Sequence, residues 1–128
     1  MSMEKVVFGF VVLLAATLNT GFVVGDIADP ELHNVAELYL AVVVNIIAAV
    51  LKFGDRTQIG AIQLATSLVA VLQLVAAAGV YVYATQVAAE GLSRGLTSTM
   101  VSLAAGALLA NVSSVVMLVA ETVSYRRR

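Results

Sequence analysis

Four stretches of this sequence are apolar and carry no charged side chain, and they constrain the fold more than any other feature. They are Val6–Gly25, Leu38–Leu51, Thr57–Ala89 and Gly95–Ala120. Since no water in the hydrocarbon core can satisfy backbone N–H and C=O groups, a segment that crosses it must be helical. Such a helix needs about 20 apolar residues. The sequence therefore predicts an all-α membrane protein, with one transmembrane domain and four transmembrane helices at about 5–25, 34–53, 58–86 and 97–122.

The composition agrees with a chain surrounded by lipid. Hydrophobic residues make up 61% of the 128 residues and charged residues 12%, whereas about 25% charged is usual in a soluble domain. The chain has no cysteine and a single histidine, His33. Disulfides and thiolate metal sites are thereby excluded, and we expect no metal and no cofactor. The net charge of −1 gives no reason to expect a nucleic-acid partner.

Short polar connectors separate the apolar stretches, which predicts an up-down bundle. Six positive residues then fall on one side of the membrane and Arg94 on the other. The six are Lys5, Lys52, Arg56, Arg126, Arg127 and Arg128. Because cytoplasmic segments carry the excess of Lys and Arg, we expect both termini in the cytoplasm of a multi-pass protein of the cell (inner or plasma) membrane. The four arginines among the six are predicted to contact lipid or a cytoplasmic partner.

Polar and small residues form one stripe on each of the two middle helices. The second helix carries Asn34, Glu37, Ala41, Asn45, Ala48 and Lys52, and the third carries Gln63, Thr66, Ala70, Gln73, Ala77 and Tyr81. Spacings of three and four residues place each set on one helix face. An unpaired amide in hydrocarbon costs several kcal/mol. Either these amides pair with one another or they face water.

The first and last helices also carry small-residue stripes, for which helix packing is the favoured interpretation. The stripes are Thr17, Gly21 and Gly25 on the first helix and Ser98, Ser102, Gly106, Ala110 and Ser114 on the last. Small residues let membrane helices approach closely, and their hydroxyls bond across the interface.

Acidic residues gather in the first connector and just after it. Asp26, Asp29 and Glu31 would form an outer acidic mouth if several subunits assembled around a pore. The alternative is a solvated loop without further function. His33 is expected to be a loop residue and not a metal ligand.

Three segments carry a resemblance to a known group of proteins. They are Glu4–Phe10, His33–Leu38 and Leu51–Ala61. With them, most of the chain resembles a family of small four-helix bacterial membrane proteins of uncharacterised function. The resemblance implies the four-helix membrane fold and carries no activity.

The two polar stripes lead to a functional hypothesis. We expect an ion channel or channel-like transporter that conducts cations as a homo-oligomer in the lipid bilayer, since one bundle of this size leaves no aqueous path. Its pore-lining or ion-binding candidates are Glu37, Asn45, Gln63, Thr66 and Gln73. The alternative is an accessory or scaffold subunit that binds another membrane protein. No enzyme is expected, because the helices lack a catalytic dyad or metal-ligand set.

Overall fold

The computed structural model describes residues 3–25, 28–29, 31, 33–55 and 57–126. It contains four helices, α1 (Met3–Val23), α2 (Val35–Lys52), α3 (Gln58–Gln86) and α4 (Arg94–Arg126). Each is long and apolar enough to cross a membrane. The all-helical fold with four membrane-length helices is thus confirmed, as expected for a multi-pass membrane protein.

Side-chain caps define where α2, α3 and α4 begin. The side chain of Asn34 accepts a hydrogen bond from Ala36 N, and the Thr57 hydroxyl accepts one from Gly60 N at 3.0 Å. The Ser93 hydroxyl accepts from Leu96 N at 3.1 Å. Each cap satisfies a backbone donor that the first turn of a helix leaves without a partner. For α4 this cap sets the start at Arg94, ahead of the position expected from hydropathy.

The helices form a ring in which each packs on its two neighbours in sequence, and α4 closes the ring on α1. The core contains Phe22, Leu38, Ala41, Ala70, Leu74, Ala77, Met100, Val101, Ala104 and Ala107. Half of these residues are alanines, which lets the backbones approach closely. Large apolar side chains such as Phe10, Leu72 and Leu109 are instead exposed on the outside, where lipid would surround them.

The bundle has two ends, which differ in the residues they hold. The Lys5 end holds Lys5, the α2–α3 connection and Glu121, and the His33 end holds the end of α1, His33 and Arg94. Contacts at the Lys5 end fix the antiparallel arrangement of neighbouring helices. The ammonium of Lys52, at the end of α2, lies 4.1 Å from the ring centroid of Phe8 near the start of α1. The ammonium of Lys5 lies 2.7 Å from a carboxylate oxygen of Glu121 near the end of α4.

The packing face of α1 differs from the stripe expected from its sequence. Thr17 and Gly25 are exposed, and the Thr17 hydroxyl donates to Leu13 O of its own helix at 2.8 Å. The face that packs inward holds Phe8, Val12, Ala15, Asn19 and Phe22. Van der Waals packing of the Phe8 and Phe22 rings against the neighbouring helices favours this face over one of small residues.

The packing face of α4 is also displaced from its expected stripe. Ser102 is exposed. The buried positions are Thr97, Met100, Val101, Ala104, Ala107, Asn111 and Ser114. Small residues occur all around α4, so the sequence pattern selects no single face.

Candidate functional site

The polar stripes of α2 and α3 face the interior of the bundle. Asn45 and Gln63 are both fully buried, and Glu37, Thr66 and Gln73 are half-buried. Together with Asn19, Asn111 and Ser114 from α1 and α4, we call these residues the polar column. They lie inside one chain and not on its lipid-facing exterior.

Asn45 and Gln63 occupy the part of the polar column nearest the Lys5 end. Asn45 lies seven residues before the end of α2 and Gln63 five residues after the start of α3. At a rise of about 1.5 Å per residue, both lie roughly 8–10 Å from that end of their helices. The Asn45 Nδ2 donates to Ala41 O at 2.7 Å, whereas its Oδ1 has no hydrogen-bond partner among the described residues. Within the same part of the chain, neither Oε1 nor Nε2 of Gln63 has one.

Two hydroxyls join α3 to α4 in the next layer. Thr66 Oγ1 lies 2.6 Å from Ser114 Oγ and donates to Gln63 O at 2.9 Å. Because the Thr66 hydrogen is used in the second bond, Ser114 is the donor in the first. Both hydroxyl groups therefore have a partner.

Asparagine side chains join α1 to α4 further toward the His33 end. In the orientation that pairs donors with acceptors, Asn19 Nδ2 donates to Ala104 O at 3.0 Å. Its Oδ1 accepts from Leu108 N at 3.1 Å and from Asn111 Nδ2 at 3.2 Å. Ala104 and Leu108 are four residues apart, the separation of hydrogen-bonded backbone groups in an α-helix. The Asn19 amide therefore bonds to a C=O and an N–H group that are one turn apart on α4. This buried amide is satisfied by bonds that also hold two helices together.

Two glycines make room for polar side chains of the column. A Cβ on Gly106 would lie 2.8 Å from Nε2 of Gln73, so the amide rests on the backbone of α4. A Cβ on Gly21 would overlap the Glu37 carboxylate, so that group rests on the backbone of α1. The Oε1 of Gln73 is buried without a hydrogen-bond partner. Gln73 and Glu37 each lie fifteen residues from the Lys5 end of their helix, or about 22 Å along it.

His33 closes the His33 end of α1, a role that its sequence position does not indicate. The side chain is buried, and Nδ1 lies 2.6 Å from Phe22 O. A carbonyl oxygen can only accept, so Nδ1 is the donor. The carbonyl belongs to the last turn of α1, where helical partners are missing. His33 therefore caps α1 and is more than a loop residue.

Charged side chains cover the column at the Lys5 end. Lys52 is buried beneath them, with its ammonium 3.5 Å from an oxygen of Asp55. A small cavity of about 50 Å³ lies beside this pair, and its wall contains Glu4, Lys5, Phe8, Leu51, Lys52 and Asp55. Groups of both charge signs therefore lie at this end of the column.

Asp55 holds the α2–α3 connection together. Its Oδ1 accepts from Thr57 Oγ1 at 2.7 Å and from Thr57 N at 2.9 Å. These two bonds, the side-chain bond foremost, lower the pKa of the Asp55 carboxyl below its ordinary value, and Lys52 adds to the effect. The charged carboxylate is thus the form that the fold prefers.

The lowered pKa of Asp55 predicts a loss of stability in acid. A carboxyl whose pKa is lower in the folded state contributes stability that is complete above its unfolded-state pKa and is lost as the pH falls through the folded-state pKa. We expect Asp55→Asn to reduce unfolding stability at pH 7 and to match the wild type more closely at pH 3. Thermal unfolding in detergent at both pH values measures this. Glu90→Gln, at an exposed position, is the control. If the stability difference from the wild type changes between pH 7 and pH 3 by the same amount in both variants, Asp55 is not the source of the acid sensitivity.

Several residues of the predicted sites are not brought into the column. Glu31 is exposed, and the Asp29 carboxylate accepts from Glu31 N at 3.0 Å within the connector. Asp26, Arg56, Arg127 and Arg128 lie outside the described residues, as does the side chain of Arg126. The column also contains Asn19 and Asn111, and no sequence signal distinguishes their amides from those of α2 and α3. Over the described residues no group of three His, Asp or Glu could hold a metal ion.

Comparisons with known proteins identify a family for the chain. No curated protein and no solved structure gives a significant match. A family of unknown function, DUF6394, matches residues 32–122, a region that contains α2, α3 and most of α4. The match covers well over half of the chain, and the chain therefore belongs to DUF6394.

Proposed function

We propose that this protein is a channel or channel-like transporter that passes small cations along the polar column. The observation that carries the proposal is the set of amide atoms that are buried without a hydrogen-bond partner in the part of the chain that the structure describes. They are Asn45 Oδ1, Gln63 Oε1, Gln63 Nε2 and Gln73 Oε1. Each such atom costs about 1–3 kcal/mol in a protein interior. A ligand or water that reached these atoms would remove that cost.

Helix packing alone is a weaker account of these amides. Asn19 pairs with Asn111 and with the backbone of α4, so the same bundle satisfies a buried amide where it only joins helices. Asn45 and Gln63 lie on adjacent helices and yet form no bond with each other. The unpaired polar atoms of Asn45 and Gln63 can therefore bind an ion or a water molecule that enters the bundle.

The burial of Asn45 and Gln63 bears on where the proposed cation path would run. Asn45 and Gln63 face the interior of their own chain, which favours a path through each protomer over one at a subunit interface. The homo-oligomer expected from the sequence is then not needed to build the path. Leu38 and Leu74 belong to the packed core of the bundle, so passage requires the helices to separate transiently.

Charge at the two ends favours a cation and an orientation. Glu37 lies on the column near the His33 end, and Asp29 and Glu31 precede it in the connector. Carboxylates at a pore mouth raise the local concentration of cations. The excess of Lys and Arg that the sequence predicts on the side of Lys5 and Lys52 supports a cytoplasmic location for that end under the positive-inside rule. A cell membrane, with the His33 end outside, fits both features.

Ion flux into liposomes that contain the purified protein tests the proposal. We expect flux of K⁺, Na⁺ or H⁺ above that of empty vesicles, and a decrease of about tenfold or more in Gln63→Leu, because an apolar side chain removes the polar contacts that offset dehydration. Gln86→Leu makes the same chemical change at an exposed position at the end of α3 and should conduct like the wild type. An absence of flux for all three ions, across pH and voltage, contradicts the proposal.

A second candidate function is an accessory subunit that binds another membrane protein. The outward face of α3 favours it, because Ala61, Ala65, Ala76 and Gly79 are exposed there and a Cβ on Gly79 would meet nothing within 4 Å. Small residues of this kind let a partner helix approach closely. Native mass measurement after mild extraction separates the two functions. Co-purification of one chain with a larger protein supports the accessory role.

A further inference from the structure

We propose that Asn45 and Gln63 form a binding site for one monovalent alkali cation. This inference rests on the proposed function and names its substrate class. The site lies between α2 and α3, about 8–10 Å from the Lys5 end along each helix. Its ligands are the carbonyl oxygens of two side-chain amides.

The hydrogen bond that Asn45 makes to its own helix leaves the side-chain oxygen without a partner among the described residues. Nδ2 is bonded to Ala41 O at 2.7 Å, which fixes the amide plane. Oδ1 is then the acceptor that remains, and it is buried without a partner. The side chain is fully buried, so bulk water does not meet this oxygen.

Gln63 brings a second unpaired oxygen at a similar depth. The side chain is fully buried and neither of its polar atoms has a partner. Ser67 follows one turn later on the same side of α3 and is also buried. With the Asn45 oxygen, α2 and α3 together offer two carbonyl oxygens and a neighbouring hydroxyl.

The chemistry of these ligands selects the class of ion. Dedicated Ca²⁺ sites contain carboxylates, and Mg²⁺ sites usually do, whereas neither Leu38–Leu51 nor Gln58–Gln86 contains an acidic residue. Neutral carbonyl oxygens replace the hydration shell of K⁺ in selective channels. An anion would need donors, but Asn45 and Gln63 together offer one unpaired donor, Gln63 Nε2, beside two unpaired oxygens. A monovalent alkali cation suits this set best.

Thermal unfolding in detergent tests the site without a flux measurement. A ligand that binds only the folded protein raises the midpoint temperature. The wild type is compared in KCl, NaCl, LiCl and N-methyl-D-glucamine chloride at equal ionic strength, with MgCl₂ as the divalent arm. We expect a rise of about 4 °C or more in one alkali chloride over the bulky organic cation, with no comparable rise in MgCl₂.

Variants assign the effect to the two amides. Asn45→Leu and Gln63→Met should each abolish the dependence on the alkali cation, while Gln86→Leu should retain it. Neither change leaves a new unpaired atom, so both variants should fold, and the helical circular dichroism signal verifies this. If either variant fails to fold, the comparison of the wild type in the different salts still tests the site.

Each outcome has a defined meaning. Equal stability in all the salts shows that water alone fills the site and overturns the inference, as does a larger effect of Mg²⁺ or an effect that survives in both variants. If the liposomes pass only protons, the site proposal fails while the channel proposal stands. If the stability depends on the alkali cation but the liposomes pass no ion, the site stands and the channel proposal fails.

Discussion

Gly60→Ala is expected to destabilise the bundle by about 1–2 kcal/mol. A Cβ at this position would overlap the carboxylate of Asp55, which two bonds from Thr57 hold in place. Overpacking of this kind costs about 1–3 kcal/mol, and the better helix propensity of alanine offsets at most about 1 kcal/mol of it. Unfolding by SDS in mixed micelles, followed by circular dichroism, measures the change.

A matched glycine and a double variant isolate the cause. Gly79 is also in α3, but a Cβ there would meet nothing within 4 Å. Gly79→Ala should therefore be neutral or stabilising. Gly60→Ala should cost less when Asp55 is already alanine, because the overlapping group is then absent. If the two effects simply add, the Asp55 carboxylate is not what the new methyl group meets.

Asn19→Leu is expected to destabilise the bundle by about 1–3 kcal/mol, since the change leaves the amide of a partner buried without its bond. Asn19 makes three hydrogen bonds to α4, two with its backbone and one with Asn111. Single hydrogen bonds between membrane helices contribute about 0.6 kcal/mol on average. The cost of Asn19→Leu should exceed that average, because one side chain loses three bonds and the amide of Asn111 is left buried without a partner. The same SDS titration applies.

The double variant Asn19→Leu, Asn111→Leu separates two effects. One is the cost of leaving the Asn111 amide buried without a partner, and the other is the loss of the hydrogen bonds themselves. When both amides are replaced by apolar groups, no unpaired side-chain donor or acceptor is left, and part of the stability should return. Thr17→Val is the control on α1, because its exposed hydroxyl bonds only to its own helix. A double variant that loses the full sum of the single effects shows that the two side chains act independently.

The candidate site was partly accessible from the sequence. Spacing placed Glu37, Asn45 and the α3 amides on two stripes, and the structure puts both stripes against the interior. The amides of Asn45 and Asn19 look alike in sequence, but the first has an unpaired oxygen and the second has none. Pairing depends on which atoms of a neighbouring helix lie within about 3 Å, and no periodicity encodes that.

The packing faces of α1 and α4 show the same limit. Thr17 and Ser102 have the spacing of a packing stripe but are exposed. In a membrane both lipid and protein are apolar, so hydrophobicity does not identify the buried face of a helix. Burial of Phe8 and Phe22 required a cavity shaped by α2 and α4, which exists only in the assembled bundle.

The sequence by itself determined four membrane-length helices, because charge is excluded from hydrocarbon and backbone groups must bond within each segment. It also placed the amides on stripes, because helix geometry repeats every 3.6 residues. Only the tertiary structure decided which amides are paired, that His33 caps α1, and that the polar column lies within a single chain. Those features depend on contacts between residues far apart in sequence, where differences of an ångström decide whether a hydrogen bond forms.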